Sequence, residues 1–127
     1  MSSNTPKHIL IAEGDAFLAD IYQKKFEMEG FKVSKVSNVE KALIDIKKKH
    51  PDVVLLDVLL SKMDGLAVLD AVKSDRVLKK IPIILLTNLG QPDDVKRGLE
   101  KGAADYLIKT HFKLSEVVDK VKQVFHP

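Results

Sequence analysis

Apolar runs and amphipathic stretches alternate along this chain from Lys7 to Phe125. His8-Ile9-Leu10-Ile11-Ala12 reads as a strand covered on both faces. Leu18, Ile21, Tyr22 and Phe26 then recur at helical spacing until Gly30 stops the helix. Residues 31–36 alternate with period two, the pattern of a half-exposed edge strand. Asn38 is placed to cap a helix that carries Val39, Ala42, Leu43 and Ile46 on one side. After Pro51, the apolar centre of residues 52–57 suits a strand buried on both faces. Leu66, Leu69 and Val72 mark a third helix following Asp64-Gly65. Residues 81–87 form a second buried strand, with Pro82 tolerable near its start. Pro92, Asp93 and Asp94 open a fourth helix that Gly102 closes. Residues 105–109 make a short fifth strand. Leu114, Val117, Val118, Val121, Val124 and Phe125 give the last helix an apolar face.

Strand and helix thus alternate five times without a long linker or repeat. That order predicts an α/β domain: a five-stranded parallel sheet with right-handed crossovers and helices on both faces, a (βα)5 doubly wound arrangement of flavodoxin-like strand order. The domain is expected over residues 7–127, behind a disordered N-terminal segment, 1–6. A length of 127 residues fits one such domain.

Composition narrows the function. There is no cysteine, which excludes disulfides and thiolate metal sites. No apolar run approaches the ~20 residues of a membrane span, and the polar N-terminus lacks a signal-peptide core, so a cytoplasmic protein without membrane insertion is expected. The net charge is +3. Lys47-Lys48-Lys49 is the one tight basic run, and it ends a helix, where cations complement the dipole. No direct nucleic-acid contact is expected from it. The four histidines show no metal-ligand spacing and are expected at the surface; Met28 and Met63 are expected in packing.

In a doubly wound sheet the functional crevice lies outside the carboxyl ends of the strands. The strands here end at Glu13-Gly14-Asp15, at Asp57, at Thr87-Asn88 and at Lys109. Carboxylates, a hydroxyl and an amine distant in sequence therefore converge on one rim. Carboxylates held close repel unless a cation or proton intervenes, and hard oxygen donors favour Mg²⁺. Asp57 could attack phosphorus as a carboxylate nucleophile, with Thr87 and Lys109 donating to the phosphoryl oxygens. A flavin or nucleotide enzyme on this fold would need a Gly/Ser/Thr-rich phosphate cradle; the acidic turn Glu13-Gly14-Asp15 repels phosphate unless a metal is present.

At these residues the chain resembles the response-regulator receiver family, including its single-domain chemotaxis regulators. The likeness spans about Lys7 to Phe125. It rests on Ile9-Leu10-Ile11-Ala12-Glu13, Pro51-Asp52-Val53-Val54-Leu55-Leu56-Asp57 and Met63-Asp64-Gly65. It continues through Ile81-Pro82-Ile83-Ile84-Leu85-Leu86-Thr87 and Gly102-Ala103-Ala104-Asp105-Tyr106-Leu107-Ile108-Lys109. The resemblance implies that Asp57 accepts a phosphoryl group from a sensor histidine kinase or phosphotransfer protein. Glu13, Asp57 and the backbone carbonyl of Leu59 would hold Mg²⁺. Lys109 would bind a phosphoryl oxygen, and Thr87 and Tyr106 would act as switch residues. The face of the fourth helix, fifth strand and fifth helix would then bind a downstream protein. Such a domain assists its own aspartyl phosphorylation and dephosphorylation, and is a signalling module rather than an enzyme.

Three positions depart from the family pattern. Gly14 stands where a second acid commonly supplies a metal ligand, and Asp15 comes one residue late, as either a helix cap or a metal ligand. Thr110 replaces the proline after the strand-five lysine, and Ser61 a common proline in the loop beyond Asp57. An alternative reading follows: a receiver-fold interaction module whose phosphorylation is weak or lost. Tyr106 likewise has two readings, packing residue or switch.

Overall fold

The computed structural model describes residues 6–60, 63–88, 92–109 and 113–125. Its main sheet has five parallel strands in the order β2-β1-β3-β6-β7. These are β1 (His8–Ala12), β2 (Lys32–Val36), β3 (Val53–Asp57), β6 (Ile83–Thr87) and β7 (Asp105–Ile108). A short antiparallel hairpin, β4 (Leu59–Leu60) with β5 (Met63–Asp64), follows β3. The helices are α1 (Ala16–Met28), α2 (Val39–Lys49), α3 (Leu66–Lys73), α4 (Pro92–Glu100) and α5 (Leu114–Gln123). A turn of 3₁₀ helix, Leu78–Lys80, leads into β6.

The expected (βα)5 doubly wound architecture is therefore present, and the element boundaries fall within two residues of those read from the pattern. Every residue of β1, β3 and β6 is buried, as their continuous apolar runs require, whereas β2 is half exposed at the edge. Two apolar layers result. Leu10, Val54, Leu56 and Leu85 meet α2 and α3 through Ile46, Leu69 and Val72. Ile9, Ile11, Leu55 and Leu86 meet α1 and α5 through Tyr22, Phe26, Val118 and Val121. Asn38 caps α2, its Oδ1 accepting from the Lys41 amide at 2.8 Å.

Some local expectations fail for tertiary reasons. His8 is buried rather than superficial: it opens β1 between two neighbouring strands, and its Nε2 lies 2.8 Å from Ser34 Oγ. Burial, then the charges of Lys32 and Lys49, lowers its pKa. Met28 is 82% exposed and not in packing, because α1 buries the stripe Ala19, Tyr22, Phe26 and Met28 falls on the other side. Leu114 is partly exposed at the first turn of α5, outside the buried group Val117, Val118 and Val121. The hairpin and the 3₁₀ turn carry no period long enough to read from sequence. Thr110, Ser61, His111, His126 and most of segment 1–6 lie outside the described residues, as does the packing expected of the Met63 side chain.

Candidate functional site

Parallel register sends the carboxyl ends of all five strands to one rim. Ala12 pairs with Leu56, Asp57 with Leu86, and Thr87 with Ile108. The ladder then runs one residue past each strand: Glu13 donates from its amide to Val36 O at 3.1 Å, Val58 to Leu86 O at 2.9 Å, and Lys109 to Thr87 O at 2.8 Å. Backbone pairing thus fixes the residues that bear the chemistry, although the chain separates Asp57 from Lys109 by 52 positions.

Glu13, Asp57 and Lys109 meet there. Lys109 Nζ donates to Asp57 Oδ2 at 2.7 Å and lies 2.7 Å from Glu13 Oε1. The second contact is an ion pair by distance only; its direction is not that of a hydrogen bond, and buried Glu13 Oε1 has no hydrogen-bond partner. Both carboxylates are buried, Glu13 to 2% and Asp57 to 4% exposure. One ammonium therefore faces two carboxylates in a poorly solvated place. Burial, with the adjoining Asp57 carboxylate, pushes the Glu13 carboxyl up to about 7 against the pull of Lys109. Burial alone would lower the Lys109 pKa, but its hydrogen bond to Asp57 and the nearby Glu13 carboxylate outweigh that and raise it.

The backbone holds Asp57 from below. Its Oδ1 accepts from the Leu59 amide at 2.9 Å. Gly65 packs so tightly behind it that a Cβ there would sit 2.1 Å from the Asp57 carbonyl oxygen. Asp64 Oδ1 accepts from the Leu66 amide at 2.9 Å, and Asp64 Oδ2 receives Arg97 Nη2 of α4 at 3.3 Å. The resemblance singled out Met63-Asp64-Gly65, and this packing gives the physical reason for the glycine. The Arg97 contact spans 33 positions and had no local signal.

Asp15 is the N-cap of α1: its Oδ1 accepts from the Leu18 amide at 3.1 Å. Its own amide donates to Glu13 Oε2 at 3.1 Å. Thr87 ends β6, buried to 1%, with its hydroxyl 3.3 Å from the Asn88 carbonyl. Tyr106 is 37% exposed on edge strand β7. Among the described residues no group of three His, Cys, Asp or Glu side chains is placed to hold a metal. Mg²⁺ needs no such group, since it keeps several waters and takes one or two carboxylates. The hard donors Glu13 and Asp57, with Glu13 Oε1 lacking a hydrogen bond, fit an ion held largely by water.

The family model of the response regulator receiver domain matches residues 9–122. The DNA-binding response regulator MtrA of Mycolicibacterium paratuberculosis is 35% identical over 116 residues, covering 91% of this chain and 50% of that protein. The DNA-binding dual master transcriptional regulator RpaA of Synechocystis is 33% identical over 114 residues, covering 90% of this chain and 47% of RpaA. The chain thus spans about half the length of these curated relatives. Among solved structures, the signal receiver domain of a histidine kinase from Syntrophus aciditrophicus superimposes with a TM-score of 0.83 at 35% identity, covering 92% of this chain and 88% of that one. The chemotaxis regulator CheY4 of Vibrio cholerae, at 23% identity, shares the fold with a TM-score of 0.86, covering 94% and 99%. No helix among the described residues is long and apolar enough to cross a membrane. With the matched span covering nearly all of its five-stranded sheet and the rim above it, this chain belongs to the response regulator receiver domain family of two-component signal transduction.

Proposed function

We propose that this domain takes a phosphoryl group from the phosphohistidine of a sensor histidine kinase or phosphotransfer protein onto Asp57. A carboxylate oxygen of Asp57 attacks phosphorus, the phosphorus–nitrogen bond to the donor imidazole breaks, and that nitrogen recovers a proton. The observation that carries this reading is the 2.7 Å contact of Lys109 Nζ with Asp57 Oδ2. It leaves an ammonium where phosphoryl oxygens arise, and a preorganised cation stabilises charge that develops there. The Leu59 amide orients the acceptor, and Thr87 is the hydroxyl at the neighbouring strand end. Glu13, Asp57 and the Leu59 carbonyl would hold Mg²⁺, which when bound offsets charge on the carboxylates and the incoming phosphoryl group.

Output then passes through α4, β7 and α5 to a downstream protein. Leu99, Tyr106 and Leu114 are exposed on those three elements, an apolar content that suits a protein-binding face. Thr87 and Tyr106 are the proposed switch residues that make the face depend on Asp57.

The test is acetyl phosphate or beryllofluoride with Mg²⁺, read by intact mass or by fluorine resonance. The wild type should be labelled and Asp57→Asn should not. No labelling of the wild type at saturating Mg²⁺ overturns the reading. A second reading draws on one observation: with Gly14 in the turn and Asp15 turned to its helix, two carboxylates remain for the ion. On that reading the chain is an interaction module whose partner binding ignores Asp57, and a beryllofluoride-dependent change in affinity excludes it.

A further inference from the structure

The end of the sheet opposite Asp57 has a charge of its own. Helix α2 runs back against the strands, so its last turn, Lys47-Lys48-Lys49, and His50 lie at the rim where β3 begins. The connection from α3 to β6 brings Asp75, Arg76, Val77, Leu78, Lys79 and Lys80 to the same place. Lys47, His50, Asp75, Val77 and Leu78 together line a groove of about 240 Å³ between the two segments. A five-residue strand separates this rim from the acceptor by roughly 17 Å.

Segments 45–52 and 75–80 hold six of the 21 Lys and Arg residues and three of the 18 Asp and Glu, a surplus of three cations. The rest of the chain holds fifteen of each, so the whole net charge of +3 resides on this one rim. Each of its acids already has a partner. Asp75 Oδ1 accepts from the Val77 and Leu78 amides at 2.8 and 3.0 Å, Asp52 Oδ2 from the His8 amide at 2.7 Å, and Asp45 pairs with Lys49 at 3.3 Å. Lys47, Lys48, Arg76, Lys79 and Lys80 are all exposed, and among the described residues none of them forms a salt bridge. Val77, in the midst of these cations, is 65% exposed.

We propose that this rim is a docking surface for an acidic protein segment carrying a small aliphatic side chain, which seats on Val77 at the groove while its carboxylates meet the surrounding lysines and Arg76. Charge complementarity names the partner's sign, and an apolar centre with a charged border is the anatomy of a protein interface. A nucleic-acid surface would set a run of cations or large stacking rings at its centre; here Lys47 and His50 share the groove with the Asp75 carboxylate and the apolar Val77 and Leu78, and neither segment holds a Phe, Tyr or Trp. A lipid surface needs an apolar face broader than one valine. The surface is independent of the phosphoryl site, so its partner engages whether or not Asp57 is modified.

The test uses the full chain and fluorescence anisotropy. The probes are a labelled polyglutamate peptide with one central leucine, its serine counterpart, a short DNA duplex, and vesicles of phosphatidylserine with phosphatidylcholine. The leucine peptide should bind most tightly. The pair Lys48→Glu with Arg76→Glu should weaken it at least about tenfold, while Lys24→Glu with Lys96→Glu, two exposed lysines elsewhere, should leave it nearly unchanged. Val77→Ser should cost several-fold, and the serine peptide should not sense that change. Asp57→Asn should bind as the wild type does. Circular dichroism checks that each variant is folded. The proposal is overturned if the leucine peptide fails to bind at low salt, if the duplex or the vesicles bind more tightly, or if the control pair weakens binding as much as the rim pair.

Discussion

The two carboxylates facing one ammonium make a specific demand on stability as pH changes. Glu13 titrates at about 7 in the folded chain against an ordinary 4.5, because burial and the adjoining Asp57 disfavour its charged form. Below pH 4.5 both folded and unfolded chains hold this proton and the group contributes nothing. Between those values the unfolded chain has released the proton while the folded chain keeps it, so stability falls as pH rises. Above about 7 the loss is complete. Each pH unit in that window is worth about 1.4 kcal/mol, so ionising Glu13 in place costs about 3 kcal/mol. Glu13→Gln removes the titration and keeps an acceptor for the Asp15 amide. The variant should match the wild type near pH 5, apart from a constant offset, and gain about 3 kcal/mol on it by pH 8. For a chain of this length that is roughly a 10 °C rise in Tm. The assay is urea and thermal unfolding followed by circular dichroism, with a chelator present so that no divalent ion enters. The comparison must be between the two proteins, because His8 has a lowered pKa and imposes the opposite slope on both below pH 6.5. A difference between variant and wild type that stays flat from pH 5 to 8, or that shrinks as pH rises, would refute the reasoning.

Further outcomes follow from individual contacts. Gly65→Ala drives a Cβ into the carbonyls of Asp57 and Val58, backbone that has nowhere to move; it should cost more than about 2 kcal/mol in urea unfolding and lower labelling of Asp57 as well. Asp15→Ala should cost about 1 kcal/mol through loss of the α1 cap while leaving Mg²⁺ affinity within about twofold, a larger loss marking Asp15 as a ligand. Gly14→Asp should tighten Mg²⁺ at least about tenfold by titration calorimetry, since it adds a third carboxylate at the turn; unchanged affinity would show that Gly14 does not limit metal binding. Lys109→Met leaves two buried carboxylates without their cation and should destabilise the fold by about 3 kcal/mol at pH 8 and much less at pH 5, where Glu13 holds a proton.

The sequence by itself determined the alternation of strands and helices, the α2 cap at Asn38 and the edge character of β2. It also determined which residues end each strand. These properties are local: the period of apolar residues, a capping side chain and a breaking proline act within a few positions, and parallel crossovers leave little choice of layer arrangement. Because strand ends share a rim in such a sheet, Glu13, Asp57, Thr87 and Lys109 could be brought together on paper.

Tertiary structure alone decided how those groups divide their contacts. Asp15 and Glu13 are two residues apart, yet the turn of the chain gives one to a helix amide and the other to a buried ion pair. That Lys109 faces both carboxylates, that Gly65 abuts the acceptor's carbonyl, and that His8 is covered while Met28 is bare all depend on which neighbour packs above each position. The basic rim is the same lesson: Lys47-Lys48-Lys49 is an ordinary helix end in sequence, and only packing sets the cations of a segment nearly thirty residues later beside it. Local periodicity reports which faces of an element are apolar; it carries no term for the distance between side chains on different elements, and that distance governs both charge coupling and burial.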